Sequence, residues 1–243
     1  MIKPLIIFQA LLLSSASLSA QVTNIAMGQE FAELAAHQGY ASNGFSAYQN
    51  YTSGEVKGSQ FFLPGWSKGE VVTIHSEVYN EPLEFLYDKV RQEVFIRKRD
   101  SALVLLANKD EIQSFSLKDN QGTQYNFVNS KLYTDETPEV FYQVLVYDST
   151  KLSLLKYIKT TLVKADYHDM MKVKEGEVND AFIDKYIYYI VKADGVLQPI
   201  ELKTKSLKKV FGEMNIPYQN YMKIHYEPVN EEYLVNMVKE LNH

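Results

Sequence analysis

The side chains best suited to bind an anion are the arginines, and all three of them fall within residues 91–99. Arg97 and Arg99 are two residues apart, so in a strand both project from the same face of the sheet. Two guanidinium groups on one face can clamp a carboxylate or a phosphate. The competing explanation is an edge strand whose charges prevent edge-to-edge pairing with another sheet.

Trp66 is the only tryptophan of the chain and directly follows a Pro64-Gly65 turn. Its ring can pack against one end of a sheet or stack on a ligand. The 18 tyrosines raise the same two alternatives, half-buried strands or an aromatic sugar-binding platform. Trp66, Arg97 and Arg99 are therefore the candidate ligand-binding residues, and an envelope protein or a glycan is the candidate partner.

Three carboxylates, Glu81, Glu84 and Asp88, are spaced so that they can meet across a hairpin. Two carboxylates about 5–10 Å apart can hydrolyse a glycoside, which keeps a carboxylate-based hydrolase open as an alternative. The sequence has no Gly-x-Ser-x-Gly elbow, no phosphate-binding glycine loop and no His-Glu-x-x-His motif. No catalytic residue is assigned, and we do not expect intrinsic catalysis.

Metal and cofactor sites are not predicted either. The chain contains no cysteine, which excludes disulfides, thiol nucleophiles and zinc–cysteine sites. His168-Asp169 is the only histidine–carboxylate neighbour, and in an extended chain these two side chains point to opposite faces. We therefore expect neither a metal ion nor a cofactor.

The first 20 residues have the pattern of a signal peptide. Lys3 supplies a positive start, Leu5–Leu13 is apolar, and small residues follow up to Ala20, after which we predict cleavage. This apolar run is roughly half the length of about 20 residues that a membrane-spanning helix needs, and no later run is long enough. The predicted location is the periplasm, the cell surface or the medium. Removal of Lys3 changes the net charge from −5 to −6, which disfavours nucleic acid as a partner.

The remaining chain divides into an arm and a domain. Residues 21–60 end in a stretch rich in Gly, Ser, Asn and Tyr with no regular period, which is typical of a mobile or surface-draped arm. Residues 61–243 form the predicted β-rich domain, with a helical cap over 203–243. Within the cap, Ser206 is predicted to begin one short helix and Asn230 a longer amphipathic one.

Short strands separated by turns dominate residues 69–128. Val140–Tyr147 and Leu152–Lys159 predict a buried hairpin, and Asp194-Gly195 between two apolar runs predicts another. The connections are short, so neighbours in sequence are expected to pair. The predicted fold is α+β and mainly β, an antiparallel meander sheet or partly closed barrel with a small C-terminal helical cap.

Several stretches of the domain resemble a broad group of uncharacterised secreted β-rich proteins of Bacteroidota-type bacteria. The resemblance covers 61–242, implies an exported β-rich fold, and brings no site residues because the group has no assigned activity. The segments that carry it are Trp66–Val71, Pro82–Asp88, Glu93–Ile96, Tyr188–Val191, Asp194-Gly195, Leu202, Lys205–Leu207 and the final amphipathic helix.

The expected function is a non-catalytic binding or accessory protein of the periplasm or cell surface. Besides the hydrolase, a small β-barrel carrier of an apolar ligand is a further alternative. A carrier would need a dry cavity, which we would expect among Phe141, Leu145, Leu154 and Ile158.

Overall fold

The described part of the chain folds into two antiparallel-rich sheets and three C-terminal helices. The structure is a computed structural model that describes residues 56–101, 103–135, 137–165, 179–214 and 216–243. The predicted signal peptide and residues 21–55 of the predicted arm lie outside the described residues. The elements are β1 (Val56–Lys57), β2 (Gly69–Thr73), β3 (Val78–Tyr79), β4 (Leu83–Asp88), β5 (Glu93–Lys98), β6 (Val104–Leu106), β7 (Ile112–Lys118), β8 (Gln124–Asn129), β9 (Phe141–Val146), β10 (Ser153–Val163), β11 (Asp180–Val191), β12 (Leu197–Ile200), α1 (Thr204–Phe211), α2 (Ile216–Ile224) and α3 (Glu231–Leu241).

The large sheet has nine strands, in the order β1-β11-β10-β9-β8-β7-β2-β3, with β12 also paired to β11. From β7 to β12 each strand pairs antiparallel with the next, so the predicted meander is confirmed. β1 and β3 lie at opposite ends of this order, so the described strands form an open sheet. β4, β5 and β6 form a separate small sheet, and β2 consequently pairs with β7.

The described end of the predicted arm is part of the large sheet. Val56 and Lys57 form β1, which pairs in parallel with the start of β11. Phe61 then bridges to Asp88 at the end of β4. The sheet therefore begins at least five residues before the predicted domain boundary.

Two groups of elements cover one face of the large sheet. The small sheet packs on one half through aromatic rings; Phe115 and Phe127 stack with centroids 4.7 Å apart, and Tyr87 meets Phe115 at 5.1 Å. The helices cover the other half, where Leu154 and Ile190 of the sheet are fully buried. Burial of these apolar side chains is the main force that holds the layers together.

The residues proposed to line an apolar cavity are instead packed against neighbours. Phe141 contacts the rings of Tyr87 and Phe115, and Leu154 lies in the helix-covered core. Ile158 is buried, and Leu145 packs against the helix-covered core. These four residues do not line the clefts of about 560, 350 and 290 Å³ that described residues form.

Many tyrosines pack against other side chains of the fold, as the explanation by half-buried strands predicts. Tyr142 contacts Tyr157 and Tyr189 on the second face of the large sheet, with centroids 6.3 and 5.3 Å away. Among the described residues, the buried tyrosines are Tyr87, Tyr142, Tyr188, Tyr218, Tyr221 and Tyr233.

The helical cap begins and ends close to the predicted positions. Asn230 caps α3, its side chain accepting a hydrogen bond from the backbone N–H of Tyr233 at 2.8 Å. The prediction that Ser206 begins α1 is wrong, because that helix begins at Thr204. The Ser206 hydroxyl accepts instead from the backbone N–H of Glu201, which is outside the helix.

Asp88 fixes the turn from β4 to β5 through hydrogen bonds, and its carboxyl group makes the stability of the fold depend on pH. Its Oδ1 accepts hydrogen bonds from the backbone N–H groups of Val90 and Arg91 at 2.8 and 3.1 Å. Burial raises the pKa of this carboxyl to about 6, and the nearby charge of Glu93 adds to the effect. In the unfolded chain the pKa returns to about 3.9. The folded protein therefore binds the proton more tightly, and this contribution to stability grows as the pH falls from about 7 to about 4.

We expect Asp88→Asn to remove this dependence, because the amide keeps an acceptor oxygen and has no proton to titrate. Between about pH 7.5 and pH 5 the wild-type protein should gain about 1.4 kcal/mol of stability over the variant. Urea unfolding of both proteins at the two pH values measures the difference. If the free energy of unfolding changed with pH equally in the two proteins, Asp88 would not be the source of the pH dependence.

Candidate functional site

The sequence-predicted ligand residues come together on the outer face of the small sheet. Trp66 is followed by Ser67, which exchanges two backbone hydrogen bonds with Phe85 of β4 at 3.0 and 2.9 Å. The guanidinium carbon of Arg97 lies 4.5 Å from the centroid of the Trp66 ring. This cation–π contact holds the half-buried indole in a defined orientation.

Arg97 and Arg99 are already matched by carboxylates of the same protein. Arg97 donates from Nε to Glu84 at 2.9 Å, and its Nη2 lies 2.8 Å from the same carboxylate oxygen. Arg99 lies between Glu84 and Glu81, at 3.5 and 3.2 Å. The two guanidinium groups therefore share one network of charges through Glu84, and Arg97 is the one that contacts Trp66.

The edge-strand explanation of these arginines is wrong. β5 pairs with β4 on one side and with β6 on the other, which makes it the central strand of the small sheet. The short strand β6, Val104–Leu106, is the second partner that removes β5 from the edge of the sheet.

A cleft of about 560 Å³ lies between the Trp66 segment and the turn that joins β7 to β8. Its volume is in the range of small-molecule binding sites. Aromatic rings, amides and two charged side chains share its lining. The described lining residues are Leu63, Pro64, Gly65, Trp66, Ser67, Lys118, Asp119, Asn120, Gln121 and Tyr125.

Asp119 builds the far wall of this cleft. Its Oδ1 accepts from the backbone N–H groups of Gln121 and Thr123 at 2.9 and 2.8 Å, and its Oδ2 accepts from the Tyr125 hydroxyl at 3.1 Å. Desolvation opposes ionisation, but these hydrogen bonds outweigh it and lower the pKa of Asp119. Three donors thus occupy the carboxylate, which fixes the turn and the Tyr125 ring.

Two further contacts fix the opposing walls. The ring of Phe62 meets Tyr125 edge-on with centroids 5.0 Å apart. The backbone N–H of Lys118 donates to the carbonyl of Lys68 at 2.8 Å, two residues beyond Trp66. The two aromatic rings of the cleft are therefore carried by elements that are joined directly to each other.

Sequence reasoning found Trp66 but missed the opposite wall of the cleft. The Asn120-Gln121-Gly122 turn was recognisable from its residue types. In the structure Gly122 has φ +86°, a conformation that favours glycine. Nothing in the sequence places this turn beside Trp66, more than fifty residues earlier. That proximity arises only from the pairing of β2 with β7.

The carboxylates proposed for a hydrolase do not form a catalytic pair. Glu81 and Glu84 are bridged by Arg99, and Glu81 also lies 2.7 Å from Lys68. Asp88 is buried in its turn and does not line a described cleft. The contacts with Lys68 and Arg99 lower the pKa of Glu81, whereas an acid–base pair needs one carboxyl group with a raised pKa.

A second cleft, of about 290 Å³, holds carboxylates that the sequence did not single out. Glu93, Asp110 and Glu139 line it together with Lys109. Burial raises the pKa of Glu93. Lys131 neutralises the other two, at 2.6 Å from Asp110 and 3.2 Å from Glu139. This arrangement is a charge network at the surface.

Over the described ranges, no group of three or more His, Cys, Asp or Glu side chains is placed to hold a metal ion. His168 and Asp169 lie outside those ranges. No helix in the described part of the chain is long and apolar enough to cross a membrane.

Comparison of the chain with known protein families, with curated proteins and with solved structures gives no match. The resemblance to secreted β-rich proteins therefore stays a prediction. The Trp66 cleft is the feature of the described residues that bears most directly on function.

Proposed function

We propose that this chain is an exported, non-catalytic binding or accessory protein of the periplasm or cell surface, and that its cleft binds a saccharide. The observation that carries the proposal is the pairing of Trp66 and Tyr125 in one cleft with exposed amide side chains. The signal-peptide pattern of residues 1–20 supports export.

The lining of the cleft suits a sugar. Sugars present apolar C–H faces and polar hydroxyl edges, so they combine well with aromatic rings and hydrogen-bonding groups. Trp66 and Tyr125 offer the rings, and the exposed amides of Asn120 and Gln121 offer both donors and acceptors. Rigid support of both rings lowers the entropy cost of binding.

The charges of the cleft favour binding over hydrolysis. Asp119 is the one carboxylate among the described lining residues, and three donors already hold it. Glycoside hydrolysis normally needs a second carboxyl group across the bond to be broken. A hydrolase is therefore the less favoured alternative at this cleft.

We expect Trp66→Ala to weaken saccharide binding by about ten- to a hundred-fold, because one aromatic wall and its support from Arg97 are lost. Trp66→Phe, which keeps a ring, should retain most of the affinity. Tyr226→Ala removes an aromatic ring that is 84% exposed and does not line the cleft, so it serves as the control.

The measurement is a binding screen of the full chain against neutral and acidic oligosaccharides, followed by calorimetric titration of those that bind. Thermal unfolding of each variant verifies that it is folded. Equal loss of affinity in the Trp66 and Tyr226 variants would place the binding surface elsewhere. If no saccharide binds, the proposed function is wrong.

A further inference from the structure

The cleft contains one positive charge that no described neighbour compensates. Lys118 and Asp119 are its two charged lining residues. The carboxylate of Asp119 is occupied by the turn, as described above. Among the residues that the structure describes, the Lys118 ammonium has no ion-pair partner, although its backbone is fixed by the bond to Lys68.

The other cations near the cleft are neutralised. Arg97 is paired with Glu84, and Lys68 lies 2.7 Å from Glu81. Lys118 is exposed at the last position of β7, where its long side chain can reach a bound molecule. A ligand that presents one negative group would complete the charge balance of the site.

On the premise that the proposed function is correct, we infer that the saccharide is acidic and that Lys118 binds its carboxylate. The ligand class is an oligosaccharide with uronic acid residues, whose pyranose ring packs between Trp66 and Tyr125. The amides of Asn120 and Gln121 bind its hydroxyl groups. An ammonium–carboxylate contact in a partly enclosed cleft is stronger than one at an open surface.

The arrangement assigns separate roles to separate residues. The aromatic rings contribute affinity for acidic and neutral sugars alike, because a ring face does not distinguish a carboxylate from a hydroxymethyl group. Lys118 contributes the preference for the acidic form. Substitution of the lysine should thus change selectivity, and substitution of the tryptophan should change affinity.

The test compares uronate oligosaccharides of galacturonic, mannuronic and glucuronic acid with their carboxyl-reduced neutral forms. For the full chain we expect at least one acidic oligosaccharide to bind about ten-fold more tightly than its reduced form. Lys118→Gln should bind the acidic and reduced forms equally. Added salt should weaken binding of the acidic form only.

Lys159→Gln is the matched control. Lys159 is also exposed on a strand, but it lies in β10 and does not line the cleft. The Lys159→Gln change removes one positive charge, as Lys118→Gln does, but it should leave the preference for the acidic oligosaccharide unchanged. Thermal unfolding of both variants shows whether they are folded.

The outcomes separate this inference from the proposed function. Equal binding of acidic and reduced oligosaccharides by the wild type would overturn the role of Lys118 and leave saccharide binding standing. An acidic preference that survives in Lys118→Gln would also overturn it. Absence of binding to every oligosaccharide would defeat both proposals.

Discussion

Gly69→Ala should destabilise the protein by more than about 3 kcal/mol, or prevent it from accumulating in folded form. A Cβ atom at this position would lie 1.9 Å from the backbone carbonyl oxygen of Ser116 and 2.9 Å from its carbonyl carbon. Both are backbone atoms of β7, so no side-chain rotation relieves the contact. The alanine can be accommodated only if β2 and β7 separate.

The separation would also disturb the cleft. Gly69 is the first residue of β2, opposite Leu117, and Trp66 and Lys118 lie just beyond this pair on the two strands. A displacement of β2 moves the tryptophan away from the β7–β8 turn. On the proposed function, any Gly69→Ala protein that folds should therefore bind saccharide more weakly than wild type.

Thermal unfolding measures the effect on stability, for which about 3 kcal/mol corresponds to about 6–12 °C in a domain of this size. Gly65→Ala is the control, since no atom lies within 4 Å of a Cβ at that position. A Gly69→Ala protein with the same melting temperature as Gly65→Ala would contradict the close approach of β2 and β7.

The local pairing of the fold was predictable because turn residues and alternating strands lie next to each other in sequence. The Asp194-Gly195 turn joins β11 to β12. The backbone N–H of Gly195 donates to the carbonyl of Lys192 at 2.9 Å, and Gly195 has φ +78°, as expected for a three-residue hairpin loop that ends in a glycine. Val140–Tyr147 and Leu152–Lys159 likewise form the β9–β10 hairpin. In each case the pattern and the pairing involve the same short segment.

The long-range pairing was not predictable in this way. Strands β4 to β6 leave the large sheet and form their own, so β2 pairs with a strand some forty residues later. A single sequence contains no signal for that choice, because the apolar pattern of a strand does not specify its partner. Lys118 and Tyr125 were for this reason absent from the predicted site.

The buried polar contacts between the two sheets were missed for a related reason. Gln92 is buried with φ +58°, and its Oε1 accepts from the Tyr87 hydroxyl and from the backbone N–H of Phe141 at 2.8 and 2.9 Å. Beside it, Lys89 is 7% exposed. In the sequence both residues have the composition of an ordinary exposed turn, and only the packing of the small sheet against the large one buries them.

Lys89, in the turn after β4, forms a largely buried ion pair with Asp184 of β11. Its ammonium lies 2.7 Å from Oδ2 of Asp184 on β11, and Oδ1 of Asp184 accepts from the Thr160 hydroxyl at 2.6 Å. Asp184→Ala should cost about 3–5 kcal/mol, because it leaves a buried ammonium without this partner. Lys89→Met should cost less, about 1–2 kcal/mol, since the Asp184 side chain is 25% exposed and keeps Thr160.

A double-mutant cycle measured by urea unfolding tests this asymmetry. The double variant Lys89→Met, Asp184→Ala should be more stable than Asp184→Ala alone, because the unpaired buried charge has been removed. Glu201→Ala is the control, since Glu201 and Lys203 are also 2.7 Å apart but are 68% and 73% exposed, so the change should have little effect on stability. Equal costs for the two single changes, adding up in the double variant, would show that the pair does not join the two sheets through its charges.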